Sequence, residues 1–217
     1  MHMPPTAYAV RLLISGAVAA ALLAGPDAAA APSPAAPSTG AHHGGYGGLR
    51  LLADLSARRL ATARPVAAAK WGTGRPVDDP VREQQVLDTA ARQAREAGAD
   101  PAATTRILRD QIEANKRVQR ALHRRWDADP TRAPALRPDL AEVREEINRL
   151  NAALVRAIAD SVKVRTDPSC GGTLTAAVAR VRRHDHLDRL HATALTHALR
   201  SVCAYSFTTP AQLPPPR

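Results

Sequence analysis

Two Asp-Pro pairs, Asp79-Pro80 and Asp100-Pro101, constrain this chain more than any other feature. An aspartate caps a helix by accepting from backbone N–H groups that lack an intrahelical partner, and proline fits the first helical turn but not the interior. Each pair therefore marks a helix start, and Gly98 supplies the stop between them. The bounded segments, about 80–97 and 101–127, carry apolar residues at helical spacing and are too long for strands.

The same punctuation continues on both sides. Leu49 to about Ala63 shows helical periodicity, and Pro65 opens a short second helix through Trp71. A proline-rich connector runs from Asp129 to Pro138, Asp139 caps a helix to about Val162, and a last helical region extends from near Pro168 to Tyr205. No stretch alternates with period two. Aromatic residues are only 3% of the chain and alanine is abundant, which favours closely packed helices over sheets. The expectation is an all-α fold, a single-domain helical bundle of about six helices with no β-sheet.

The ends have a different character. Arg11, an apolar run from Leu12 to Gly25 and then Ala28-Ala29-Ala30 give the charged, apolar and small-residue regions of a secretory signal over 1–30. That run is too short to span a bilayer comfortably, so the expectation is a protein secreted to an extracellular or periplasmic space, with no membrane association after cleavage. Residues 31–47 read as a disordered lead-in, 48–205 as the helical domain and 206–217 as a flexible tail. In an oxidising compartment the two cysteines, Cys170 and Cys203, are expected to pair. Two residues that far apart on one straight helix could not meet, so the last helical region must break and return near His184-Asp185-His186.

The net charge is +10, and removal of 1–30 leaves it unchanged because Arg11 and Asp27 cancel. Such a balance suits an anionic partner. Nucleic acid is the weaker option, since basic residues are interleaved with acids on every helix and few aromatics are present to stack on bases. No metal site is expected: His184 and His186 point to different helix faces, and His191 and His197 are also out of register. Neither a glycine-rich phosphate loop nor a nucleophile elbow occurs.

The polar residues placed where burial is expected are more informative. On helix 101–127, Gln111, Asn115 and Gln119 recur every fourth residue along the edge of the apolar face made by Ile112, Val118, Leu122 and Trp126. A buried amide without a partner costs roughly 1–3 kcal/mol, so such a ladder either bonds within itself or meets a ligand. Arg59, Lys70, Arg82, Glu83 and Arg144 sit at comparable positions on other helices. Together they form a set of fixed cations and neutral donors with one carboxylate, and no nucleophile.

Three stretches, A-T-A-R-P-V-A-A-A-K-W, D-D-P-V-R-E-Q-Q-V-L and R-D-Q-I-E-A-N-K-R-V-Q, resemble the chorismate mutases of the all-helical class. The likeness is to the secreted subclass in particular, which has a signal peptide, a disulfide near the C-terminus and a site built within one chain. It covers about residues 47–205, and its motif is Lys70, Arg82-Glu83 and then Asn115 and Gln119.

The resemblance implies a cofactor-free pericyclic rearrangement of chorismate to prephenate. It implies that Arg59 and Arg144 clamp the two substrate carboxylates, a task suited to the guanidinium fork. Lys70 and Gln119 would donate to the ether oxygen, with Lys70 also touching a carboxylate. Glu83 would accept from the ring hydroxyl, and Arg82 would line the pocket. Asn115 stands where the family usually has Ser or Thr, as a carboxylate donor with a changed side chain. Family members are often dimers, so a homodimer is compatible with the resemblance. The alternative is a secreted helical binding module that keeps the fold, has lost the activity and holds an anionic partner on its basic surface.

Overall fold

The computed structural model describes residues 40–204, with side chains described from Tyr46 onward. The expected signal segment and the tail from 206 lie outside the described residues. Among the described residues the chain forms eight α-helices, one 3-10 turn over Pro130–Arg132 and no strand. The helices are α1 (Gly40–Ala61), α2 (Ala63–Lys70), α3 (Pro80–Glu96), α4 (Pro101–Ala128), α5 (Leu140–Asp160), α6 (Val162–Arg165), α7 (Cys170–His184) and α8 (Arg189–Ala198).

Local chemistry sets most of these boundaries. Asp79, Asp100 and Asp139 each accept from a backbone N–H in the first turn of α3, α4 and α5, at 3.1, 2.8 and 2.7 Å. Each such cap is worth about 1 kcal/mol relative to alanine. Gly98 ends α3 at a φ of 68°, where a side chain would be strained. The last helical region breaks as its cysteines require: α7 stops at His184, His186 takes a φ of 49°, and Asp188 caps α8 through the His191 N–H at 2.8 Å.

The all-helical, strand-free expectation stands among the described residues, with two differences of detail. The helix count is eight rather than about six, because the last region divides at residues 185–188 and the short α6 separates from α5. In addition, α1 begins at Gly40, so the last part of the lead-in expected over 31–47 is helical. From Tyr46 onward, tertiary contacts support the helix despite its glycine-rich composition. Tyr46 packs on the core, and a Cβ at Gly48 would lie 3.4 Å from Ser161 Cβ, so a helix so poor in side chains approaches α6 closely.

Helix α4 occupies the middle, packing against α2, α3 and α8, while α1 packs against α5, α7 and α8. Leu52, Leu108, Val118, Trp126, Leu154, Ile158 and Leu195 form the centre of the core, each nearly inaccessible to water. Burying one such side chain contributes roughly 1.5–3 kcal/mol. Gln111, the first rung of the amide ladder, belongs to this core. Its Nε2 donates to Ser56 Oγ at 2.8 Å and to Ala198 O at 3.0 Å, stitching α4 to α1 and to the end of α8.

Two further devices position the functional region. Trp71 Nε1 donates to Asp127 Oδ1 at 2.8 Å and its ring meets Trp126 edge-on at 5.9 Å, which pins the end of α2 to the end of α4. At the other end, a Cys170–Cys203 disulfide joins the start of α7 to the turn beyond α8, with Cα atoms 5.8 Å apart. Reducing it should lower the unfolding free energy by about 3 kcal/mol, since it closes a long loop. The check is the urea midpoint of oxidised and reduced protein, with turnover below the midpoint unchanged. An unmoved midpoint would mean that the contacts around the loop suffice without the bond.

Candidate active site

One cleft opens among α1, α2, α3, α4 and α5, walled by Arg59, Lys70, Arg82, Glu83, Asn115, Gln119 and Arg144 together with Asp79 and Lys116. Val66, Val77, Val86, Ile112, Leu140 and Ile147 supply an apolar lining between the polar groups. Five cations face two carboxylates, so the cleft is electropositive and its apolar surface keeps the local dielectric low.

Arg59 is the most constrained of these groups. It is 4% exposed, and among the described residues it pairs with no carboxylate. Its Nε donates to Asn151 Oδ1 at 2.7 Å and its Nη1 to Gln111 O at 2.9 Å, both neutral acceptors. Burial pushes its pKa down to about 10, which still leaves it charged at neutral pH. Isolating a cation from water without a counter-charge is costly, and the cost is recovered when an anion enters. Neighbouring Arg58 is exposed.

Lys70 ends α2, and the turn that follows wraps back over it. Gly72 and Gly74 take positive φ, and the carbonyls of Pro76 and Val77 accept from Lys70 Nζ at 2.9 and 3.0 Å. An ammonium has three protons, so one remains for the cleft. Burial lowers the Lys70 pKa, with Arg144 adding to the effect and Asp79, Glu83 and Asp78 opposing it.

The α3 edge carries an ion-pair network that sequence reasoning missed. Lys116 is buried, and its Nζ lies 3.0 Å from Glu83 Oε2, 2.7 Å from Glu113 Oε1 and 3.1 Å from Asp78 Oδ1. Burial disfavours its charge, but the hydrogen bonds it donates to these carboxylates outweigh that and hold the ammonium well above its ordinary range. Glu83 Oε1 also accepts from the Asp79 N–H at 3.2 Å, which fixes the carboxylate at the cleft wall. Asp79 itself lies 3.4 Å from Arg144 Nη2, so the cap of α3 also steers an arginine from α5. Arg82 Nη2 donates to Asn148 Oδ1 at 2.9 Å and is half-buried.

Deep in the cleft, Asn115 Nδ2 donates to Arg59 O and to Thr62 Oγ1, both at 3.2 Å, and Gln119 Nε2 donates to Asn115 Oδ1 at 2.7 Å. Gln119 Oε1 is buried with no hydrogen-bond partner, one of two such side-chain atoms among the described residues.

All seven residues selected from the sequence thus line one cleft. Asp79 and Lys116 were passed over. Asp79 has a sufficient reading as a helix cap, and Lys116 sits in the charged run E-A-N-K-R, where nothing local marks it as buried. Glu113 is an ordinary i,i+3 neighbour on the same helix, and the partners at 78 and 83 are a signal only once α3 is known to lie on α4.

Known proteins give the same answer as the geometry. The family model described as chorismate mutase type II matches residues 50–120, a span that holds Arg59, Lys70, Arg82, Glu83, Asn115 and Gln119. The secreted chorismate mutase of Mycolicibacterium smegmatis is 38% identical over 152 residues, covering 70% of this chain and 84% of that protein. Its counterpart from Mycobacterium tuberculosis is 36% identical over 152 residues, covering 70% and 76%. The crystal structure of chorismate mutase from Burkholderia phymatum superposes with a TM-score of 0.68 at 37% identity, covering 73% of this chain and 97% of that one. With an all-helical fold, an electropositive cleft and relatives matched over most of their length, this chain belongs to the chorismate mutase family.

Proposed function

We propose that the cleft binds chorismate as a dianion and rearranges it to prephenate by fixed electrostatics alone. The protein is a secreted chorismate mutase, in line with its relatives, and the Cys170–Cys203 disulfide suits an oxidising compartment. The rearrangement breaks a C–O bond and makes a C–C bond within one molecule. Atoms and electrons balance internally, so no nucleophile or proton carrier is required. What the protein must supply is a folded substrate conformer and donors aimed at the oxygen that gains negative charge.

The buried, carboxylate-free guanidinium of Arg59 is the observation that carries this reading. After its bonds to Asn151 and Gln111, three of its five N–H protons remain for a substrate carboxylate. Arg144, held by Asp79, takes the second carboxylate, and Arg82 lines that end of the cleft. Lys70, with its remaining proton, and Gln119 donate to the ether oxygen. Glu83, fixed by Lys116, accepts from the ring hydroxyl. The apolar side chains hold the ring and exclude water, which strengthens each of these contacts.

The test is direct. Purified protein mixed with chorismate should consume it and yield prephenate with no added metal or cofactor. A folded protein that binds chorismate without turnover would instead support a binding module on the same fold.

A further inference from the structure

We infer that Asn115 is a positioning residue: it fixes which way the Gln119 amide faces and holds no substrate itself. The inference rests on the reading of Gln119 as a donor to the ether oxygen.

The donors and acceptors around the two amides fix the orientation of both. The carbonyl of Arg59 can only accept, so the Asn115 atom 3.2 Å from it must be the nitrogen. Thr62 Oγ1 gives its single proton to that same carbonyl at 2.7 Å, so toward Asn115 it too acts as an acceptor. Both Nδ2 protons are thereby committed. Asn115 Oδ1 must then face Gln119, and an oxygen there at 2.7 Å compels Gln119 to present its nitrogen. One proton of Gln119 Nε2 is used and the second stays available to the cleft, beside the unpartnered Oε1.

Asn115 therefore has no donor left for a substrate carboxylate. Flipping the Gln119 amide would set two oxygens against each other across a buried 2.7 Å contact. Flipping both amides would turn Asn115 Oδ1 onto the Arg59 carbonyl. A main-chain carbonyl at the end of α1 thus dictates, through two side chains on α4, the polarity of the amide at the cleft. A serine or threonine at 115 would be too short to relay it in this way.

A mutant cycle on the intact protein tests this. Gln119→Ala should lower kcat about 10²-fold by removing the donor. Asn115→Leu, close in size but without polar atoms, should lower kcat to a similar extent, since misorienting one group near the chemistry can cost about 10²-fold. Its KM should change less than about threefold, because no substrate contact is lost. In the Gln119→Ala background, Asn115→Leu should cost nothing further beyond about twofold. Asn115→Ala provides the same cycle if the leucine variant does not fold.

Parental kcat in Asn115→Leu would reduce Asn115 to packing and overturn the inference. So would additive losses, or a loss confined to KM. Should Gln119→Ala itself be fully active in an active parent, the reading of Gln119 falls, and the inference with it. An impaired Gln119→Ala with additive Asn115 effects would overturn only the role of Asn115.

Discussion

Arg59→Ala should lower kcat/KM by about 10³-fold while Arg58→Ala leaves it within twofold. A charge-assisted bidentate contact to a carboxylate in a site shielded from water is worth roughly 3–4 kcal/mol, and each 1.36 kcal/mol is tenfold in rate. Both KM and kcat should suffer, since the clamp binds the ground state and also folds the substrate toward its reactive conformer. Arg59→Lys keeps the charge but loses the fork, and its Nζ cannot reproduce the bonds to Asn151 and Gln111 together. It should therefore recover little of the loss. Steady-state kinetics on the four proteins, with circular dichroism to confirm folding, decide the matter. Arg124→Ala and Arg183→Ala, at exposed positions away from the cleft, are expected to match the parent. If Arg58 proved as sensitive as Arg59, the assignment of the inward guanidinium would be wrong.

The contrast between Arg58 and Arg59 shows where sequence reading succeeds and where it stops. Helix ends were legible because caps are local: Asp79, Asp100 and Asp139 bond to N–H groups two or three residues away. The break before α8 was legible because a disulfide cannot form along a straight helix, a constraint independent of neighbours. The start of α1 was not legible, because what marks this glycine-rich run as helical is non-local: Tyr46 packs on the core and Gly48 lies close to Ser161 and Val164.

The amide ladder divides along the same line. Gln111, Asn115 and Gln119 share one helical edge, yet Gln111 is consumed by Ser56 and the end of α8, whereas the other two reach the cleft. Periodicity places residues on a face and cannot say what stands opposite. Of the three carboxylates that surround Lys116, Glu113 is a local i,i+3 neighbour on α4, whereas Asp78 and Glu83 come from the loop before α3 and from α3, so their arrival is a property of the packing. That network has a consequence for the chemistry. By pairing Glu83 Oε2 with Lys116 Nζ at 3.0 Å, it fixes where a carboxylate stands at the wall of an otherwise electropositive cleft.

Gln119→Glu should abolish most activity at neutral pH and restore part of it in acid, the second large effect. A neutral amide donates at any pH, whereas a carboxyl donates only when protonated. The structure sharpens the expectation, because the Gln119 nitrogen already faces the Asn115 oxygen at 2.7 Å. An ionised glutamate there would oppose that oxygen and would also sit beside the ether oxygen as it gains negative charge. Burial and the Asn115 oxygen raise the pKa of the new carboxyl above its ordinary value near 4.3, while the cleft cations Arg59, Lys70, Lys116 and Arg144 restrain the rise. The direction follows from which form works. The protonated carboxyl has one O–H where the amide has two N–H groups, so it serves the ether oxygen only in competition with Asn115 Oδ1; activity is partly restored below the raised pKa and is lost as pH climbs through it. Stability follows the same course: a carboxyl whose folded pKa exceeds its unfolded value favours folding at low pH, and that contribution disappears as pH rises. Both kcat/KM and the unfolding temperature of the variant should therefore fall together between about pH 4.5 and 8, with the parent nearly level over the same range. A Gln119→Glu protein fully active at pH 8 would mean that the ether oxygen is served by Lys70 without help from residue 119.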